Sequence, residues 1–352
     1  MRRKILLLVF FLLATVSAPA QSGAIINDEI YSTSLEGNLV GDSPRRGVLV
    51  YLPPDYERRK KTRYPVVYLL HGFVPKGNST WIDDKYFNLE TINRLIAEKK
   101  ISPVIVVMPD GKNKYGGSYY TNSITTGNWE DYIVRDLVAN IDKKYRTLPS
   151  AESRGIAGHS MGGYGAIKLA MKHPDVFGAI YGTSSCCLDT FPTPYQPRKN
   201  MLDAAALKSF EEAEKAAFMV QVSFAIAAAF SPNPEKPPFF SDYPMSKNGE
   251  RDLTAENAQA RWLANIPTYM FDQYRTNLLR LRGIAFDAGT KEENIQISNR
   301  QFSEQLKRGK IEHTFEVFEG GHFDKVAERI ETRILPFFSQ KLVFQASAGK
   351  TK

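Results

Sequence analysis

Short, nearly unbroken apolar runs alternate along this chain with longer stretches where apolar residues recur every three or four positions. Residues 47–52 alternate toward Pro53 and Pro54, while 64–70 (YPVVYLL) and 104–108 (VIVVM) are continuous apolar runs. Such runs predict strands, the continuous ones buried on both faces. Residues 129–145 predict an amphipathic helix with Tyr132, Ile133, Leu137, Val138 and Ile141 on one face. The pattern then predicts a strand at 154–158, a helix at 161–173 stopped by Pro174, and a strand at 177–183. Further on come a strand at 283–286, a helix at 294–308, a strand at 314–318 and a helix at 324–338. Strands alternating with helices predict an α/β protein, with a mostly parallel central sheet covered by helices on both faces.

One stretch breaks the rhythm. Residues 188–267 show no clear strand and carry Pro-rich segments (PTPYQP, SPNPEKPPFF) around an Ala-rich helical segment at 204–230. We expect a helical insertion at the C-terminal edge of the sheet, acting as a lid. Its apolar part, 216–230, contains Gln221 and Ser223 and is too short and polar to span a bilayer. The expected organisation is therefore a core in two parts, 21–187 and 268–340, interrupted by the lid at 188–267 and followed by a tail at 341–352. Residues 1–20 read as a cleavable export signal: Arg2, Arg3 and Lys4, an apolar run at 5–16, then Ala18-Pro19-Ala20. Twelve apolar residues do not make a membrane span, so the mature chain is expected in a periplasm or outside the cell, without a stable membrane span.

Composition narrows the chemistry. The formal net charge of +8 falls to about +5 without the three cations of the leader, and no long block of like charge points to nucleic acid. The two cysteines, Cys186 and Cys187, are adjacent and read as small buried residues at a strand end, not as a disulfide framework. No H-E-x-x-H or C-x-x-C spacing predicts a metal, and no cofactor is expected.

The strongest chemical signal is Gly158-His159-Ser160-Met161-Gly162, a G-x-S-x-G pentapeptide lying between a predicted strand and a predicted helix. That context is the nucleophile elbow of the α/β-hydrolase fold. Its glycines leave room for a strained serine, here Ser160, at a helix N-terminus. Five histidines compete for the general base. His159 adjoins the nucleophile and should point away, His173 ends a helix, His71 sits in a turn after a strand, and His313 precedes a strand in solvent. His322, in the Gly-rich EGGHF loop after the last strand, can swing over the sheet edge and is the chosen base. The orienting acid should lie between Ser160 and His322 in sequence, where Asp287, Glu292 and Glu293 follow the strand at 283–286. Position alone does not rank them. Two N–H donors should hold an oxyanion: that of Met161, and that of Phe73 in the His71-Gly72-Phe73 turn, which resembles the H-G type oxyanion turn.

These residues together resemble the putative esterase family that includes esterase D, feruloyl esterases and mycolyl transferases of antigen 85 type. The resemblance runs from about 47 to 338 outside the insertion. It is carried by YPVVYLLHG (64–72), VMPDG (107–111), YYTNS (119–123), DYIVRDLVANIDKKYRT (131–147), IAGHSMGGYGAIKLAMKHPDVFGA (156–179) and EGGHFDKV (319–326). It implies an acid three residues past a glycine, which selects Glu292 over the alternative Asp287; most relatives carry Asp there. It also implies that Trp81 and, in YYTNS, Tyr120 and Asn122 lie where relatives contact the acyl or alcohol group. His71 and His159, flanking the same centre, are further candidate substrate contacts. The expected activity is hydrolysis of carboxylic esters, on feruloyl or acetyl esters of carbohydrate or on related small esters. Transfer of the acyl group to a sugar, S-formylglutathione hydrolysis and a catalytically silent binding module are the alternatives.

Overall fold

The structure, a computed structural model, describes residues 22–189, 198–245 and 252–345. The expected leader, the PTPYQP segment and most of the expected tail lie outside the described residues. Among the described residues ten strands occur in chain order: β1 (Ala24–Tyr31), β2 (Arg45–Leu52), β3 (Val66–Leu70), β4 (Ile105–Pro109), β5 (Asn122–Ser123), β6 (Gly127–Asn128), β7 (Arg154–His159), β8 (Ala179–Thr183), β9 (Gly283–Gly289) and β10 (Thr314–Phe318). Eight form one sheet in the order β1-β2-β4-β3-β7-β8-β9-β10, and β5 and β6 pair as a separate ribbon. The first two contacts in that order are antiparallel and the rest are parallel.

The continuous apolar runs have a direct cause. Along β3, Val66, Tyr68 and Leu70 enter one core, while Val67 and Leu69 enter the other. In β4, Ile105 and Val107 face the first core, and Val106 and Met108 the second. With a side-chain period of two and helices on both faces, neither set can be polar. Trp129, Ile133 and Leu137 pack with Tyr164 and Ile167 of the helix Met161–Lys172 in the first core. Ile92 and Leu95 of Leu89–Ala97 fill the second, with Ile330, Ile334 and Phe338.

Several boundaries differ from expectation. The edge strand β1 is not predicted, because Asn27-Asp28-Glu29 interrupts its alternation and most of it is exposed. The helix expected at 129–145 is Trp129–Asp131, Tyr132–Leu137 and Val138–Lys144 in succession, the middle segment being π-helical. The helix expected from 324 starts at Val326, because the Asp324 carboxylate accepts the Gly321 N–H and so belongs to the preceding loop.

The insertion holds Lys199–Ala206, Phe210–Lys215 and Phe218–Phe230 in place of one helix over 204–230. Extended backbone at Ala216 and Ala217 separates the last two, and Ser209 caps the second by accepting the Glu212 N–H. Leu253–Leu263 and Pro267–Leu278 follow. Phe218–Phe230 lies against the segment before β5: the Tyr115 and Phe224 rings are 4.5 Å apart, and Ser123 Oγ donates to the Ala228 carbonyl at 2.6 Å. Among the described residues no helix is long and apolar enough to cross a membrane. The parallel strands all end at one edge, where the loops after β3, β4, β7, β8, β9 and β10 converge.

Candidate active site

Ser160 sits between β7 and the helix Met161–Lys172 at φ 57° and ψ −117°, a conformation sparsely populated by side-chain-bearing residues. The glycines around it are sterically required. A Cβ at Gly158 would lie 2.3 Å from the Gly162 backbone, and one at Gly162 would lie 2.0 Å from the Leu70 carbonyl oxygen. The turn is held by the Ser160 N–H, which donates to the Thr183 carbonyl at 3.0 Å. Met161 is the first residue of the helix, so its N–H belongs to the free N-terminal turn. The His71-Gly72-Phe73 turn lies directly beside it: a Cβ at Gly72 would be 3.2 Å from Ser160 Cβ.

The His322 ring reaches Ser160 from the loop after β10. Ser160 Oγ and His322 Nε2 are 2.9 Å apart. On the other side, His322 Nδ1–H donates to Glu292 Oε1. Glu292 is 8% exposed, and its Oε2 accepts from Ser184 Oγ and from the Gly289 N–H, each at 2.6 Å. Burial alone would raise the Glu292 carboxyl, but the His322, Ser184 and Gly289 donors outweigh it and hold the group below its ordinary value. The carboxylate therefore stays charged and can stabilise a developing imidazolium. His159 points away from Ser160, and its Nε2–H donates to the His322 carbonyl at 2.7 Å. Burial, with the His322 charge beside it, drives its pKa down to about 3, so His159 is a neutral brace for the His322 loop.

Other expected site residues stand elsewhere. Asp287, the alternative acid, is fully buried on β9 and does not meet His322. It pairs with Arg329 at 2.7 Å and accepts from Tyr181 at 2.8 Å and Thr183 at 2.5 Å. Trp81 packs in the second core among Val67, Leu69 and Phe87, beneath the sheet edge and not at the site. His71 is fully buried: its Nδ1–H donates to the Gly72 carbonyl at 2.7 Å and its Nε2 accepts the Gly111 N–H at 2.8 Å, which braces two loops. Tyr120 is likewise buried, its hydroxyl donating to the His71 carbonyl at 2.9 Å. Asn122 lies exposed on β5, where its side chain accepts the Asp131 N–H. His159 meets the His322 loop. His313 is half-buried, not free in solvent, and its ring stacks on Phe286. Cys186 and Cys187 are half-buried free thiols past the end of β8, 3.0 Å apart, and the Cys186 N–H donates to the Ser160 carbonyl.

Ser184 is the residue the sequence reading missed. It directly follows β8, with φ 46°. Its signal was its place: β8 neighbours β9, so a hydroxyl just past β8 stands beside the acid that follows β9.

The chain is similar to known proteins in both sequence and fold. The chain is 38% identical over 131 residues to an esterase of Mycobacterium tuberculosis, covering 36% of this chain and 26% of that protein. It is 34% identical over 135 residues to an endo-1,4-beta-xylanase/feruloyl esterase of Xylanibacter ruminicola, covering 37% of this chain and 18% of that one. The chain thus spans about a quarter or less of the length of these curated relatives. Among solved structures, a ferulic acid esterase superposes with a TM-score of 0.62 at 19% identity, over 92% of this chain and all of that one. An S-formylglutathione hydrolase from Agrobacterium tumefaciens gives 0.59 at 16% identity, over 93% and 99%. At these identities the two structures establish the shared α/β fold. The family described as Putative esterase matches residues 43–325, and the chain belongs to that family of hydrolases.

Proposed function

We propose that this chain is an exported serine carboxylic ester hydrolase that works through an acyl-enzyme. The reading is carried by the 2.9 Å contact between Ser160 Oγ and His322 Nε2, with Glu292 on the far side of the imidazole. Ser160 attacks the ester carbonyl while His322 takes its proton. Glu292 holds the ring in the tautomer that accepts at Nε2 and stabilises the imidazolium. The backbone N–H groups of Phe73 and Met161 receive the tetrahedral oxyanion, where each such donor is worth about 10²–10³ in rate. The alcohol leaves with the proton from His322. Water, activated by the same base, then releases the acid. Acetyl or feruloyl esters of carbohydrate are the substrate class. The feruloyl esterase relative and the leader-like first twenty residues support that choice, and the latter supports export to a periplasm or beyond.

An ester panel with acetyl, longer alkyl and feruloyl groups tests the reading. Ser160→Ala should lower kcat at least 10³-fold on every accepted ester with unchanged circular dichroism. Turnover unaffected by that substitution rejects the nucleophile, and predominant transfer to a dilute sugar acceptor rejects hydrolysis as the reaction.

A further inference from the structure

Cys186 and Cys187 lie in the loop after β8 and are the only cysteines of the chain. Both are half-buried free thiols. The Cys187 thiol donates to Cys186 Sγ at 3.0 Å, roughly 1 Å longer than an S–S bond. In extended backbone, neighbouring side chains point to opposite faces. Here Cys187 stands in the left-handed region at φ 60°, so the chain turns and the two sulfurs meet on one side.

The loop that carries the pair clasps the elbow. The Thr183 carbonyl accepts the Ser160 N–H at 3.0 Å, and the Cys186 N–H donates to the Ser160 carbonyl at 3.3 Å. Between them Ser184, itself at φ 46°, donates through Oγ to Glu292 Oε2 at 2.6 Å. The Ser185 carbonyl accepts from Asn299 Nδ2 at 2.8 Å. A change of backbone shape at Cys186 is therefore felt at Ser160 and at Glu292.

We propose that Cys186 and Cys187 are a reversible oxidation site, whose closure to a disulfide between neighbours slows the chemistry at Ser160. The oxidant is itself a disulfide, R–S–S–R. The thiolate of one cysteine attacks an oxidant sulfur and releases R–S⁻; the second cysteine, losing its proton, attacks the sulfur of the first and releases the other R–S⁻. One S–S bond breaks and one forms, two electrons pass to the oxidant, and the two cysteine protons leave with it as two R–SH. Export, as proposed above, places the chain where such oxidants occur. Neighbouring Cα atoms are about 3.8 Å apart, short of the roughly 4.4–6.8 Å that disulfides usually span, and a bond constrained in this way is readily reduced again. The ring includes the Cα of Cys186, which carries the N–H that holds the Ser160 carbonyl. Drawing the sulfurs together by roughly 1 Å displaces that donor. The effect on rate rests on the esterase reading of Ser160; the oxidation itself does not.

The test uses the whole chain, reduced, then treated with oxidised glutathione and freed of it. The intact mass should fall by two hydrogens, and both thiols should become unreactive to iodoacetamide. The kcat for p-nitrophenyl acetate should fall at least threefold and recover with dithiothreitol. In the double variant Cys186→Ser, Cys187→Ser, neither mass nor rate should respond to the oxidant. A wild-type mass that stays unchanged, gains glutathione without closing, or doubles through a bond between chains overturns the site. Closure with an unchanged rate, or an equal fall in the double variant, overturns its control of Ser160. If the ester is turned over in neither state, the esterase reading fails and the control of rate with it, while the loss of two hydrogens by itself upholds the oxidation site.

Discussion

Glu292 and Asp287 both follow Ser160 in sequence and precede His322, yet their partners set them apart. Glu292 meets His322 Nδ1, whereas Asp287 meets the Arg329 guanidinium in the interior. Glu292→Gln keeps the shape but loses the charge and the tautomer preference, so kcat should fall about 10³–10⁴-fold with little change in Tm. Asp287→Asn should do the reverse: it weakens a buried ion pair at a cost of about 3 kcal/mol, read by denaturant unfolding, with kcat of the folded fraction largely retained. Exchange of those two phenotypes would make Asp287 the acid. In the proposed mechanism Ser184 acts through Glu292 as a positioning residue. Ser184→Ala removes a hydrogen bond to a charged group, worth roughly 1.5–3 kcal/mol, so a fall in kcat of about 10- to 150-fold is expected. The pH titration carries the distinguishing sign. The Ser184 hydroxyl helps hold Glu292 below its ordinary value, so its loss raises that value, and the titration of the Glu292 carboxyl followed by NMR moves to higher pH. A titration that stays in place at reduced rate would give Ser184 a merely structural part.

At the scale of elements, the elbow holds the closest glycine approach to backbone among the described residues. Gly162→Ala would put a Cβ 2.0 Å from the Leu70 carbonyl oxygen, and backbone on β3 cannot yield as a flexible side chain would. Ser160 and the start of its helix would be displaced, so soluble expression should drop or Tm fall by several degrees, together with activity; a fully active, equally stable variant would refute the steric account. This element was legible in the sequence because its glycines, strand and helix are local features, and local features carry a periodicity. The strands β3 and β4 were legible for the same reason: residues buried on two faces leave no polar position. The edge strand β1 was not, since exposure lets Asn27, Asp28 and Glu29 stand where alternation would show. Side-chain partners across the sheet edge were legible only in part. His322 and Glu292 follow from chain order and resemblance, but Ser184 depends on which strand lies beside β9. Trp81, His71 and Tyr120 look in sequence like residues lining a site. His71 and Tyr120 instead brace the loops beside it, and Trp81 packs in the second core, because an aromatic or imidazole near such a loop serves equally well as core.

At the scale of the whole molecule, one buried cluster ties the helix that follows Ser160 to the helical stretch that opens at Trp129. Glu130, 4% exposed, accepts from His173 at 2.8 Å and from Lys172 at 2.6 Å, both at the end of the helix that begins at the elbow. Burial alone would raise its carboxyl, but the His173 hydrogen bond, the Lys168 charge and Lys172 bring it down to about 2. A carboxyl depressed in the folded state binds its proton less readily than in the unfolded chain. Its stabilisation is therefore complete above the ordinary value of 4.5 and is lost as pH falls toward 2. A depression of that size is worth about 3 kcal/mol. Lys168 reinforces the direction. Burial lowers it to about 7, so it is fully cationic throughout the acid window and remains bonded to Thr121 and Asn265 at 2.7 and 2.8 Å. Glu130→Gln should therefore lower Tm clearly at pH 6, and the gap to wild type should narrow steadily below pH 4.5 and nearly close by pH 2. Thermal unfolding of both proteins across that range measures it. A gap that is independent of pH would mean that the cluster stabilises by packing alone, and a gap that widens in acid would reverse the assignment of charge to Glu130.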